Sequence, residues 1–192
     1  MNPIGTKTIR TERLLLRPFQ LEDASAMFKN WSSDAEVTHY LTWPPHESVL
    51  TTKASLKRWV DGYQNPLQFK WVIVFNNEVV GSIDVVHLEE KLNAVEIGYA
   101  LSRKCWGKGM MTEALIAVID YLLEEAGCNR VAARHDVNNP ASGKVMLKAG
   151  MTYEGTLRQY GKNNQGICDM AYYSIIKADL LKEDEKTDVS DL

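Results

Sequence analysis

Between residues 96 and 113 the chain reads EIGYALSRKCWGKGMMTE: an apolar run, a basic turn with two glycines, and the opening of a long apolar-periodic segment. No other stretch limits the fold so strongly. Residues 96–101 are patterned as a strand, 102–109 as a turn, and 109–126 as a helix. A strand that passes through a glycine-rich turn into a helix leaves several backbone N–H groups without partners, and the helix dipole adds partial positive charge there. Arg103, Lys104 and Lys108 fall in this turn, and residues 97–112 contain no acid. On a chain of net charge −3, such a basic spot suits a small polyanion such as a pyrophosphate. Two familiar phosphate loops do not fit. A Walker loop needs Gly-Lys-Ser/Thr, whereas Lys108 is followed by Gly109 and Met110. The dinucleotide fingerprint needs a third glycine and a later strand that ends on an acid.

The flanking segments supply a sheet and its covering helices. Residues 10–19 read as a first strand, with Leu14, Leu15 and Leu16 closed by Pro18. Asp23 is placed to cap a helix carrying Ala24, Met27, Phe28 and Trp31 at helical spacing. A loop over 34–45 leads to a second helix over 47–63, built on Leu56, Trp59, Val60 and Tyr63. Residues 69–75 are apolar on both faces, as a central strand should be, and Asn76-Asn77 suits a hairpin turn because Asn tolerates positive φ. Strands then follow over 79–88 and 96–101, the latter fourth in order. The helix from Gly109 carries Met111, Leu115, Val118, Ile119 and Leu122 on one stripe and stops before Gly127. A fifth strand over 130–137 is expected parallel to the fourth, because a helix joins them. A short helix starts at Asn139-Pro140, with Val145, Met146 and Ala149 inward and Gly150 at its end. Strands over 152–160 and 167–176, joined by a turn over 161–166, complete an α/β (α+β) fold: a mixed, mostly antiparallel sheet flanked by helices. Residues 1–181 form one expected domain, and the charged segment 182–192 reads as a disordered tail.

Composition closes off other classes. The acidic balance argues against a general nucleic-acid or membrane-surface binder. Cys105, Cys128 and Cys168 are odd in number and widely spaced, which points to a reducing compartment and no zinc site. His39, His46, His87 and His135 show no metal-ligand spacing. No apolar leader is visible at the N-terminus and no run is long enough to span a bilayer, so the reading is cytoplasmic.

The decapeptide Trp106-Gly107-Lys108-Gly109-Met110-Met111-Thr112-Glu113-Ala114-Leu115 resembles the acyl-CoA-binding loop and helix of the GNAT acetyltransferases. Together with EIGYAL before it, the wording is similar to the branch that acetylates protein N-termini, including ribosomal proteins. The resemblance extends over residues 8–178. One departure falls at Lys104, where the family often carries Gln or Arg; lysine keeps the charge but loses the planar fork.

That resemblance implies acetyl-CoA as cosubstrate, no metal, and direct transfer of the acetyl group to an amine. Backbone amides of Trp106, Gly107, Lys108, Gly109, Met110, Met111 and Thr112, with Lys104 and Lys108, would hold the pyrophosphate. Backbone at Tyr99, Ala100 and Leu101 would pair with the pantetheine arm, the fourth and fifth strands enclosing the coenzyme. Glu96 is the implied base, with a water relay as the alternative. Asn139 and Ser142 match the family's Asn-x-x-Ser: asparagine on the pantetheine arm, serine beside the sulfur as acid, with Tyr160 or Tyr153 as alternatives. Tyr40 and Trp43 lie in the loop that walls the acceptor pocket, and Glu154-Gly155, Arg158 and Asp169 echo an acceptor-side pattern in which Asp169 meets a cationic amine. The acceptor is expected to be a protein N-terminus or a small-molecule amine (a polyamine or aminoglycoside); a non-catalytic CoA-binding module is the third reading. A monomer or homodimer is expected.

Overall fold

In the computed structural model, residues 1–180 are described; the segment 182–192, read above as a disordered tail, lies outside the described residues. The strands are β1 (Ile9–Arg10), β2 (Leu14–Arg17), β3 (Lys70–Phe75), β4 (Glu78–Glu89), β5 (Ala94–Leu101), β6 (Arg130–Asp136), β7 (Thr152–Asn163) and β8 (Gly166–Ile176). They form one eight-stranded sheet in the order β1-β2-β3-β4-β5-β6-β8-β7. Every neighbouring pair is antiparallel except β5 and β6, which run parallel because a helix crosses over between them.

Among the described residues, the helices that cover the sheet include α1 (Ala24–Met27), α2 (Ala35–Thr38), α3 (Val49–Gly62), α4 (Met110–Asp120) and α5 (Pro140–Lys148). Two apolar clusters divide them between its faces. In one, Val95 and Ile97 of β5 pack with Met111, Ala114, Leu115 and Val118 of α4. In the other, Ala100 of β5 and Val72 of β3 pack with Met27 of α1 and Leu56 of α3. The stripe expected on α4 is the buried one, and a fully buried leucine such as Leu115 contributes about 1.5–3 kcal/mol. Past Asp120 this helix widens into a π-turn (Tyr121–Glu125), and Gly127 at φ +68° turns the chain into β6.

Four local expectations change. The first strand is split into β1 and β2, because the chain turns at Thr11, whose amide donates to the Leu14 carbonyl (3.0 Å). The expected fourth and fifth strands are therefore β5 and β6. Asp23 does not cap α1; it takes the Gln20 amide and pairs with the Arg17 guanidinium (2.7 Å). The segment over 34–45 contains the short α2, capped by Asp34, whose side chain accepts from the Glu36 amide (3.0 Å). The last hairpin is longer than expected, β7 running on to Asn163. The Asn76-Asn77 turn is as expected, with φ of 48° and 61°.

Edge strand β7 is fastened by a polar clasp. Arg130 Nη1 on β6 donates to Glu154 Oε1 on β7 (2.7 Å) and to Ser174 Oγ on β8 (2.7 Å), and Ser174 Oγ donates to the same Glu154 oxygen (2.7 Å). Arg130 holds the Glu154 carboxyl down to about 2, from an ordinary value of 4.5, against the cost of burial. A lowered folded-state pKa contributes stability above the ordinary value and loses it as pH falls through the folded one. Glu154→Gln should therefore melt lower than the wild type at pH 7, with the difference closing between pH 4.5 and 2. Melting curves across that range check it, and a constant difference would contradict the clasp.

Candidate active site

The parallel pairing of β5 and β6 is short. It runs from Ala94↔Arg130 to Ile97↔Ala133 and stops. Beyond it, β5 stays paired with β4 as far as Leu101↔Gly81, while β6 stays paired with β8 as far as Asp136↔Met170. The two strands thus part from residues 98 and 134 onward, each leaving one backbone edge without a strand partner. Opposite the parting point, β4 carries a bulge between Val85 and His87, and a bulge sharpens local twist. A free strand edge of this kind can take an extended ligand as an added strand.

The glycine turn lies at the end of β5. After a single 3₁₀ turn (Arg103–Cys105), Gly107 and Gly109 take φ of +71° and +75°, which side chains with a Cβ seldom adopt. Gly109 is the N-cap of α4, and the first carbonyl used inside the helix is its own, by the Glu113 amide (3.0 Å). The amides before Glu113 are the unpaired donors of a helix start. Trp106 is braced from below, its Nε1 donating to the Leu101 carbonyl (2.7 Å).

This turn is anchored by a residue that the local pattern did not single out. Arg13 Nε meets Glu113 Oε2 (2.6 Å), its backbone amide donates to Glu113 Oε1 (2.9 Å), and its Nη1 donates to the Lys108 carbonyl (3.0 Å). Thr11 Oγ1 completes the shell around Glu113 (2.5 Å). Burial alone would raise the Glu113 carboxyl; these donors bring it below the ordinary range. Lys104, expected at the pyrophosphate, is instead paired with Glu78 and reaches Asn30. Arg103 is likewise engaged, by Asp34 (2.6 Å). Of the three cations in the turn, Lys108 alone carries no ion pair among the described residues.

Across the parting strands, α5 begins at Asn139-Pro140. The Asp136 carboxylate orders this exit, taking the Asn138 amide (2.8 Å) and Asn163 Nδ2 (2.7 Å). Burial raises its pKa, and these donors overcome that and hold it below the carboxylate range. Asn139 occupies the N-cap position but its side chain makes no capping bond, so that amide remains open to a ligand. Ser142, one turn on, has its Oγ 2.8 Å from the Tyr99 hydroxyl, which joins β5 to α5.

Glu96 stands just before the strands part. Its Oε1 lies 2.9 Å from Arg134 Nε, and Arg134 Nη1 donates to the Tyr172 hydroxyl (2.8 Å). Arg134 was not anticipated. The loop with Tyr40 and Trp43 is tied to the same end of the sheet: Tyr40 donates to the Asn138 carbonyl (2.9 Å), and Asn164 Nδ2 donates to the Thr38 and Trp43 carbonyls (2.8 Å each). Asp169 spends one oxygen on the Gln159 amide (2.7 Å), at a bulged and left-handed point of β7. Tyr153 bonds Thr156 (2.8 Å) and is half exposed, while the Tyr160 ring leans on Tyr172. Cys105, Cys128 and Cys168 are free and buried. Among the described residues, no cluster of three or more His, Cys, Asp or Glu could hold a metal ion, and no helix is long and apolar enough to cross a membrane.

The chain is similar to known proteins in sequence and in fold. Residues 13–152 match the family model described as acetyltransferase (GNAT) domain. The N-acetyltransferase p20 of Bacillus licheniformis is 33% identical over 175 residues, spanning 89% of this chain and 97% of that protein. The ribosomal-protein-serine acetyltransferase of Escherichia coli is 28% identical over 71% of this chain and 76% of its own length. Among solved structures, an acetyltransferase from Bacillus anthracis superposes with a TM-score of 0.78 at 26% identity, covering 90% of this chain and 99% of that one.

Because two of these contacts on the turn come from the Arg13 guanidinium, Arg13→Ala should lower the unfolding free energy by about 1–2 kcal/mol. Arg13→Lys should restore less than half of it, since an ammonium cannot serve all these directions at once. Urea unfolding of both variants at pH 7 checks this, and a wild-type-like Arg13→Ala would mean that the turn holds itself.

Proposed function

The chain belongs to the GNAT acetyltransferases, and on that premise we propose that it transfers the acetyl group of acetyl-CoA to a protein N-terminal α-amine. The observation that carries this reading is the opening between β5 and β6 beside a turn of unpaired amides. A pyrophosphate is bound by the amides of residues 107–112, with Lys108 and the Arg13-braced backbone rather than Lys104 as the cationic support. The pantetheine arm lies along the free edge at Tyr99, Ala100 and Leu101, with Asn139 on its other side. An amide of that edge polarises the thioester carbonyl as negative charge develops.

The acceptor approaches Glu96 between the Tyr40–Trp43 loop and β8. Its nitrogen attacks the carbonyl carbon; the N–C bond forms, the C–S bond breaks, and the sulfur departs as a thiolate beside Ser142. Glu96, directly or through water, takes the ammonium proton. An α-ammonium titrates near 8 and a lysine ammonium near 10.4, so an α-amine asks little of a carboxylate already tied to Arg134. The E. coli relative named for ribosomal-protein serine supports the same acceptor class. Three free thiols and such an acceptor fit a cytoplasmic place of action.

CoA and acetyl-CoA should raise the melting temperature with concentration, and ATP at matched concentration much less. Peptides with free α-amines should then release thiol from acetyl-CoA with a higher kcat/KM than polyamines or aminoglycosides. Equal shifts with ATP would sink the coenzyme assignment, and a preference for small amines would replace the acceptor.

For the proton acceptor, Glu96→Gln should lower turnover most at low pH, where the ammonium predominates, and least at high pH. A pH–rate profile with one accepted peptide reads this out. Wild-type rates throughout would falsify the role of Glu96 and leave water as the acceptor.

A further inference from the structure

Tyr99 brings more to the cleft than its backbone. Its hydroxyl lies 2.8 Å from Ser142 Oγ, where either oxygen can donate, and 3.1 Å from the Ser142 carbonyl, which can only accept from it, spanning the gap where β5 and β6 no longer pair. The approach of α5 that permits this depends on Gly143. A Cβ there would fall 2.6 Å from His135 Nε2 and 3.2 Å from the Tyr173 hydroxyl, so no larger residue lets the first turn sit as close to β6 and β8. His135 and Tyr173 are stacked with ring centroids 5.6 Å apart, a firm floor under that turn.

We infer that Tyr99 is a positioning residue for the departing sulfur: of the two acceptors in reach, its single hydroxyl proton goes to the closer, Ser142 Oγ at 2.8 Å rather than the carbonyl at 3.1 Å, and so turns the serine's own proton toward the thiolate. The inference rests on the acetyl-transfer reading above. A serine hydroxyl has one proton and two lone pairs, and left alone it can spend that proton on any nearby acceptor. A donor on one lone pair sets the direction of the chain, from Tyr99 to Ser142 to sulfur, and each bond polarises the next. Burial pushes the Tyr99 phenol above its ordinary value, with Tyr173 adding to the rise and the Ser142 bond opposing it. Tyr99 therefore stays a neutral donor. Neither hydroxyl gives up its proton: the electron pair of the broken C–S bond rests on sulfur, the amine proton goes to Glu96 or water, and the released thiolate takes its proton from solvent.

The test uses the full chain with Tyr99→Phe, Ser142→Ala and the double variant. Bound CoA reports directly, since its thiolate absorbs in the ultraviolet and a serine donor held toward the sulfur by Tyr99 lowers its titration point. The bound thiol should titrate at lower pH in the wild type than in Tyr99→Phe or Ser142→Ala, and the double variant should match Ser142→Ala. Turnover of an accepted amine should fall roughly tenfold in kcat with Tyr99→Phe, with little change in coenzyme KM and no further loss on top of Ser142→Ala. A fluorinated tyrosine at 99, a stronger donor of the same shape, should lower the thiol titration further. Tyr99→Phe that binds CoA and titrates as the wild type does overturns the inference, as does a loss that adds fully to that of Ser142→Ala. Absence of CoA binding in the wild type removes the acetyl-transfer reading itself and this inference with it.

Discussion

The structure turns on a pairing that stops. β5 and β6 share four register positions and then part, although each continues in step with its other neighbour. An unpaired strand edge inside a protein is costly unless something satisfies it, because backbone N–H and C=O groups lose water without gaining partners. Here the cost is offset by keeping the gap open at one end of the sheet. The candidate site residues lie around it: the glycine turn after β5, the start of α5 after β6, and Glu96 just before the parting point.

An open gap must also be kept from closing or widening. The two flanking elements are braced by contacts distant in sequence. Arg13 and Thr11 fasten α4 and its turn through Glu113, across about a hundred residues of chain. On the other side, Asp136 ties the β6 exit to Asn163 at the end of β7, and Asn164 ties the same hairpin to the loop over Thr38 and Trp43. These bonds fix the mouth of the cleft while its lining stays unpaired, the arrangement that preorganised binding requires.

What could be read beforehand follows the range of the interactions. The α4 stripe, the Asn-Asn hairpin and the glycine turn are local patterns, and their residues specify backbone geometry almost alone. So does the parallel relation of β5 and β6, which chain connectivity dictates. Arg13 escaped notice because nothing near it in sequence marks it; its role exists only once β2 lies beside α4. Lys104 shows the complementary case. A lysine in a basic turn reads as a phosphate ligand, and the fold adds a partner, Glu78, that the local pattern does not contain. The missing cap of Asn139 was equally out of view, since residue type suggests a cap and only geometry shows the side chain left free.

Charge around the cleft argues for a modest catalytic demand. Glu96 is already matched by Arg134, and Arg134 is in turn held by Tyr172, so the carboxylate is positioned by a network rather than left as an isolated buried base. Under the proposed reaction, an α-ammonium, which titrates near 8, needs less help than a lysine ammonium near 10.4. In the proposed reaction the Ser142 hydroxyl donates toward the sulfur and the Tyr99 hydroxyl orients it, neither giving up its proton. On that proposal, most of the rate gain rests on holding the two reactants in line within the fixed cleft.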